Sequence, residues 1–467
     1  MSIVIVGIVL YIALQLGIGA WVSRKMLNEE AYLVAGRSLG YVMATMTIFA
    51  TWFGSESCIG SAGVIYEEGL AGGRADPFGY ALCILILGGF FAVRLWNQKL
   101  TTIGDLFRRR YGVGVEKFAV LLIVPTSVLW ASAQVLAFGH ILATATDIPL
   151  EITLAAAAAV VIAYTTMGGM LADAYTDLIQ GIVLVVGIAI LFFVVVTQHV
   201  TKEVVEVALV PERLTWFGGN DESIWATIEA WSIPILGSLF AQELIARMVS
   251  SRSAQVAKRS AIIAGIAYIG IGLMPLTLGL LGPGLVPGLD DGEQILPVLA
   301  KQHLNSFVYV IFTGALISAI LSTVDSALLA ASSLVSHNIV VGALKITDEK
   351  LKVRAARIVV VAFGIMAYLL AIGDQSVRDL VEMASAFGSS GVFIAVVFAF
   401  QNRFGGRISA FAALLVGVVA WAVGTWVEAP YPYIMSVAVA FAAFACAAVF
   451  EWKLAPMEQL IPEQSED

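Results

Sequence analysis

Ser322, Thr323, Asp325 and Ser326 lie together inside one long apolar run, ILSTVDSALLAASS. A run this apolar reads as a membrane helix, where an aspartate costs roughly 2.5–3.5 kcal/mol at bilayer depth on insertion scales unless it is partnered. On a helix Ala319, Ser322 and Ser326 share a face at i, i+3, i+7, with Thr323 and Asp325 flanking it. Hydroxyl, carbonyl and carboxylate oxygens are what hard cations take as ligands. The same hydroxyls could serve only to let helices approach closely, as small residues do in membranes. The aspartate beside them favours an ion.

A second group of chemically capable residues sits in two apolar stretches that carry helix breakers. FATWFGSESCIG (49–60) places Trp52, Glu56 and Ser57 around Gly54. SIPILGSLFAQELIARMV (232–249) places Gln242 and Glu243 after Pro234 and Gly237. Broken helices at matching positions of two inverted halves point to the central site of a transporter. Trp52 lies beside the first break, with Tyr80 on the next apolar stretch and Trp130 on the one after, although Trp and Tyr are also common at membrane interfaces. Glu56 and Glu243 could pair with a cationic solute, bond hydroxyls or take a proton. Glu243 could instead pair with Arg247 one turn on.

The elements that must position these residues follow from composition. The chain has 467 residues, 60% hydrophobic and 13% charged, against roughly 25% charged in soluble domains, so it is an integral membrane protein. Cys58, Cys83 and Cys446 have no CxxC spacing and the four histidines are scattered, so neither disulfides nor a thiolate metal centre is implied. There is no phosphate loop, nucleophile elbow or acid–base constellation, which argues against an enzyme, and no nucleic-acid module.

Apolar stretches of about 20 residues predict an all-α polytopic protein of about 13 transmembrane helices: 2–22, 38–65, 77–96, 116–145, 150–168, 176–197, 224–249, 259–283, 305–337, 353–373, 377–401, 407–426 and 431–453. The first lacks a basic residue before it and reads as a retained span with its N-terminus outside. With that orientation, all but five (Arg74, Lys202, Arg213, Lys301 and Arg378) of the 26 lysines and arginines fall inside, as the positive-inside rule requires. The C-terminus is then cytoplasmic, with 454–467 as a short acidic tail. The loop Gln98–Glu116 is expected to lie as an amphipathic helix at the inner surface.

Five stretches together resemble the sodium/solute symporter family: AGRSLG (35–40), FATWFGSESCIG (49–60), YTTMGGMLADAYTDLIQ (164–180), Gln242–Arg247 and ILSTVDSALLAASS. The resemblance covers essentially the whole chain. It implies the five-plus-five inverted repeat of leucine-transporter-like carriers, with halves at 38–197 and 224–401, an extra N-terminal helix at 2–22 and two extra helices within 407–453. It also implies a principal sodium site at the carbonyls of Ala50 and Phe53 with Ala319, Ser322 and Thr323. A second sodium in some members falls here on Asp177, Ser322, Asp325 and Ser326, where the two carboxylates would repel without a cation between them.

The aromatics are nearest to the choline-transporting branch, which implies a substrate site at Trp52, Glu56, Ser57, Tyr80, Trp130 and Gln242, and a gate at Phe387 on a span that helps to close the outside. Two departures matter. Ala241 stands where that branch carries a tryptophan, and Glu56 is an acid found at this place in the sugar-transporting branch. The expectation is a sodium-coupled symporter in the cell membrane, importing an organic cation or zwitterion by alternating access. Its partners are the solute, sodium ions and the lipid bilayer, with no nucleic acid and no obligatory protein partner. A neutral or anionic solute (sugar, proline-like amino acid, carboxylate) and proton coupling through Glu56 or Asp177 are the alternatives.

Overall fold

A computed structural model of the chain describes residues 3–23, 28–146, 148–216, 222–373, 376–400 and 404–454. The described residues are almost wholly helical, with one isolated parallel bridge between Leu39 and Ser251. The main helices are α1 (Ile3–Ser23), α2 (Tyr41–Trp52), α3 (Ser61–Glu68), α4 (Tyr80–Ile86), α5 (Val113–Thr146), α6 (Leu150–Gln198), α7 (Ile224–Ser232), α8 (Gln242–Ser250), α9 (Ala254–Leu285), α10 (Ser306–Val335), α11 (Glu349–Ala371), α12 (Val377–Ala386), α13 (Ser389–Ala399), α14 (Arg407–Trp426) and α15 (Pro432–Leu454).

Helix starts are written locally. Ser223, Ser253, Asn305, Asp348 and Ser376 each accept a backbone N–H of the first turn of α7, α9, α10, α11 and α12. Each such cap is worth about 1 kcal/mol. Large apolar side chains such as Leu10, Phe90, Leu369, Trp426 and Phe450 stay exposed on the outside of the bundle. A water-soluble surface rarely tolerates so many; hydrocarbon chains solvate them.

Against the 13 crossings expected, nine stretches among the described residues are long and apolar enough to span a membrane, or up to 11 if each of two bent pairs is one span. The difference arises where expected neighbours run together. Glu56–Asn97 and Leu150–Gln198 extend over 42 and 49 residues, about twice the length of one crossing. The second is bent at Gly169, whose φ of 68° and ψ of 168° leave the helical region; a Cβ there would press on Tyr32. The loop after Gln98 does form a helix, Ile103–Tyr111, opened by a capping box of Thr102 and Asp105. Its Ile103, Leu106, Phe107 and Tyr111 are buried in the protein rather than in lipid. The expected tail beyond Leu454, and Arg24, Lys25 and Arg403 of the charge count, lie outside the described residues.

Three features position the site. α10 runs through the middle of the bundle against α5, α6 and α2, and every residue from Ala315 to Leu334 is buried. α2 stops at Trp52, and the chain turns at Phe53 and Gly54 before helical structure resumes. α7 and α8 meet at 44° across a break after Pro234 and Gly237, and α12 and α13 meet at 40° across Phe387 and Gly388. Proline removes a helical donor and crowds the preceding turn, which accounts for the loosened backbone after Ser232. The two broken spans touch: α8 packs on α2, and Leu39 exchanges backbone hydrogen bonds with Ser250 and Arg252.

Candidate ion and substrate sites

The break after Trp52 frees main-chain groups that an intact helix would use internally. The carbonyl of Ala50 accepts the Ser322 hydroxyl at 2.7 Å and the Thr323 hydroxyl at 3.4 Å. Those two hydroxyls also reach the carbonyl of Ala319, at 2.9 and 3.0 Å. Across the break, the Ser55 N–H donates to Gln134 Oε1 at 3.0 Å and the Trp52 carbonyl accepts Tyr268 at 3.1 Å. Gly54 permits this closeness: a Cβ would lie 2.6 Å from both Thr323 Oγ1 and Glu56 Oε2. Ala50, Ala319, Ser322 and Thr323 therefore converge as expected, giving an all-oxygen donor set. Phe53 lies at the break itself, its ring packed on Phe49 and Tyr268.

One turn further along α10 lies a buried charge cluster. Asp173 and Asp177 of α6 and Asp325 of α10 each place a ligand oxygen within 4.8 Å of the others. Arg247 of α8, fully buried, bonds the Asp173 carboxylate and the Ser326 hydroxyl, and its guanidinium stands 3.9 Å from Asp177. Thr47 donates to Asp177, and Thr51 meets Ser326 at 3.1 Å.

Asp173 was not among the expected residues; its spacing of i, i+4 from Asp177 within an apolar stretch was the available signal. Arg247 does not pair with the Glu243 carboxylate. It takes only the Glu243 backbone carbonyl, at 3.2 Å, because the two aspartates of α6 offer it full charges.

The expected aromatics also meet. Trp52 and Trp130 pack edge to face with centroids 4.7 Å apart, and Tyr80 stacks on Trp130 at 6.5 Å. Glu56 is held in place by Trp130 Nε1 at 3.2 Å and Gln134 Nε2 at 2.9 Å. Glu56 and Tyr80 line a cavity of about 120 Å³ together with Ser61, Asp76, Pro234 and Glu382. Asp76 is a second residue that sequence reasoning missed. It sits at a non-helical position before α4, accepting Ser57 Oγ at 2.7 Å and Tyr268 at 2.9 Å. Trp52 lines neither this cavity nor the smaller one described below; its ring packs on Trp130 in this conformation.

Two expected site residues fall elsewhere. Gln242 does not reach the aromatics; its Oε1 accepts the Ile103 N–H at 2.8 Å, tying α8 to the Ile103–Tyr111 helix. Phe387 does not cover the larger cavity, to which its span contributes Arg378, Val381 and Glu382. It packs edge-on against Trp421 and lines a second cavity of about 30 Å³ with Trp130, Ala241, Glu243 and Ser385. That volume holds only a water or two.

A buried, all-helical bundle with broken spans around an oxygen-lined centre is the architecture of a secondary carrier. Comparison with known proteins agrees. The sodium:solute symporter family profile matches residues 32–419. The chain is 29% identical over 412 residues to high-affinity choline transporter 1 of Torpedo marmorata, a match spanning 82% of this chain and 69% of that protein. It is 25% identical over 438 residues to the sodium/pantothenate symporter of Escherichia coli, spanning 90% of each. Its fold superposes on a Na+-coupled sialic acid symporter in a substrate-bound outward-open state with a TM-score of 0.83 and 18% identity, over 97% of this chain and 98% of that one. The chain belongs to the sodium:solute symporter family and is a multi-pass membrane transporter with the leucine-transporter-like fold.

Proposed function

We propose that the protein is a sodium-coupled symporter that carries a small polar organic solute, an organic cation or zwitterion, into the cell across the plasma or inner membrane. The observation that carries the coupling is the meeting of Ser322 and Thr323 with the Ala50 carbonyl at the break of α2. Sodium there would take the oxygens of Ala50, Phe53, Ala319, Ser322 and Thr323. It would fix the break, and with it Glu56 a few residues on. A second sodium would lie between Asp177 and Asp325 with Ser322 and Ser326. Release inward would follow rocking of the broken spans against the rest of the bundle.

The solute class rests on the larger cavity. Glu56 and Asp76 both line it, and two buried carboxylates attract a cation and repel an anion. The likeness to choline transporters agrees with this. The likeness over 90% of both chains to a pantothenate symporter supports a second reading, a non-cationic solute bonded by Ser61, Asp76 and Tyr80 of that cavity. Thermal unfolding of the purified protein against amines, betaines, sugars, amino acids and carboxylates, with and without sodium, separates the two. Ligands that bind only the folded state raise Tm. A sodium-dependent rise confined to amines and betaines supports the first reading; one confined to uncharged or acidic solutes replaces it. No sodium response would transfer the coupling to protons.

A further inference from the structure

We propose that Asp173 is a positioning residue for the second cation site: it holds Arg247 aside, so that a sodium ion and not the guanidinium fills the space between Asp177 and Asp325. The proposal rests on reading those two aspartates as ligands of a second sodium.

Arg247 enters the core on α8 and is completely buried. A buried guanidinium must find a counter-charge and hydrogen-bond acceptors, and two carboxylates, Asp173 and Asp177, lie within 4 Å of it. It bonds Asp173, and it stands 3.9 Å from Asp177. The engagement of the three acids is unequal. Asp173 Oδ2 takes Arg247, and both Asp173 oxygens receive the Ser326 hydroxyl, at 3.5 and 3.4 Å. Asp177 Oδ1 and Asp325 Oδ1 are buried and find no hydrogen-bond partner among the described residues. Buried, unpaired carboxylate oxygens are costly. Asp177 and Asp325 stand on facing helices, each with a carboxylate oxygen within 4.8 Å of one from the other and from Asp173, and they make an incomplete cation site.

The charges point the same way. Three carboxyl groups face one guanidinium, so Arg247 can balance at most one of them. Asp173 and Asp177 stand one turn apart on the same face of α6, so a small swing of the Arg247 side chain would carry it from one to the other. With Asp173 neutral, nothing would hold the guanidinium back, and it would act as a tethered competitor for the sodium. Asp173 thus decides which cation fills the site without itself touching the ion.

The test counts sodium ions bound at saturation by purified protein, using radioactive sodium as the probe. Wild type is expected to bind two. D173N should bind one, with the affinity of the remaining ion within about threefold of wild type. The double variant D173N/R247Q should return to two, since the competitor is gone. R247Q alone should also bind two, which decides the matter should D173N not fold. Two ions in D173N, or one in either variant that lacks the arginine, overturns the role of Asp173. One ion in wild type overturns the second-site reading itself.

Discussion

The hydroxyl of Ser322 donates to the carbonyl of Ala50 over 2.7 Å, joining the middle of α10 to the last turn of α2. The bond exists because α2 ends two residues later and its late carbonyls have no helical donors. An oxygen exposed in this way, with Thr323 and Ala319 beside it, can serve either a hydroxyl or a metal ion. An ion bound at this point would therefore bear directly on the geometry of the break that carries Trp52 and Glu56.

Replacing Ser322 or Thr323 by alanine should raise the sodium concentration for half-maximal binding by about tenfold or more, a factor equal to about 1.4 kcal/mol. The fold should survive, because one lost hydrogen bond costs about 1 kcal/mol net. Sodium titration of the thermal unfolding midpoint reads both quantities. An unchanged sodium dependence in both variants would remove the principal site from these residues.

Gly54→Ala should abolish transport in protein that still reaches the membrane. The added methyl would sit 2.6 Å from Thr323 Oγ1 and Glu56 Oε2, forcing apart the two groups whose closeness defines the centre. Overpacking of this kind typically costs about 1–3 kcal/mol. Uptake measured at matched expression checks it, and near-normal uptake would mean that the close approach is incidental.

E56Q and D76N should each weaken binding of a cationic solute by about tenfold or more while leaving sodium binding without solute close to wild type. Glutamine at 56 can still accept the Gln134 amide, so the change removes charge with little change of shape. Solute-induced shifts in Tm, taken at saturating sodium, supply the comparison. Equal solute binding in both variants would argue for the uncharged-solute reading.

Q242A should lower stability without altering solute affinity. The side chain satisfies the Ile103 N–H, and a buried donor left unpaired costs about 1–3 kcal/mol. Thermal unfolding should report the loss. A clear fall in solute affinity at unchanged stability would return Gln242 to the binding site.

Much of the site was readable before any fold was known. Gly54 among polar residues marked the break, and the spacing of Ala319, Ser322 and Ser326 put oxygens on one helix face. Trp52, Tyr80 and Trp130 did come together. Asp173 and Asp76 were not singled out, although both stand in plain view in the sequence, because each matters only through a partner far along the chain. Gln242 was misplaced for the converse reason. It sits next to the right residues in sequence but is turned toward Ile103.

The sequence by itself determined that the chain lives in a membrane, where its helices break, and which hydroxyls cluster with Asp325 along α10. These are local properties, set by hydropathy, by proline and glycine, and by the helical repeat. Only the tertiary structure decided that Arg247 faces Asp173 and not Glu243, that Ser57 leans on Asp76, and that Phe387 lies by the smaller cavity. Spacing fixes which face of a helix a residue occupies. Which neighbour that face meets depends on how each helix is rotated and packed, and that is set by the whole bundle at once.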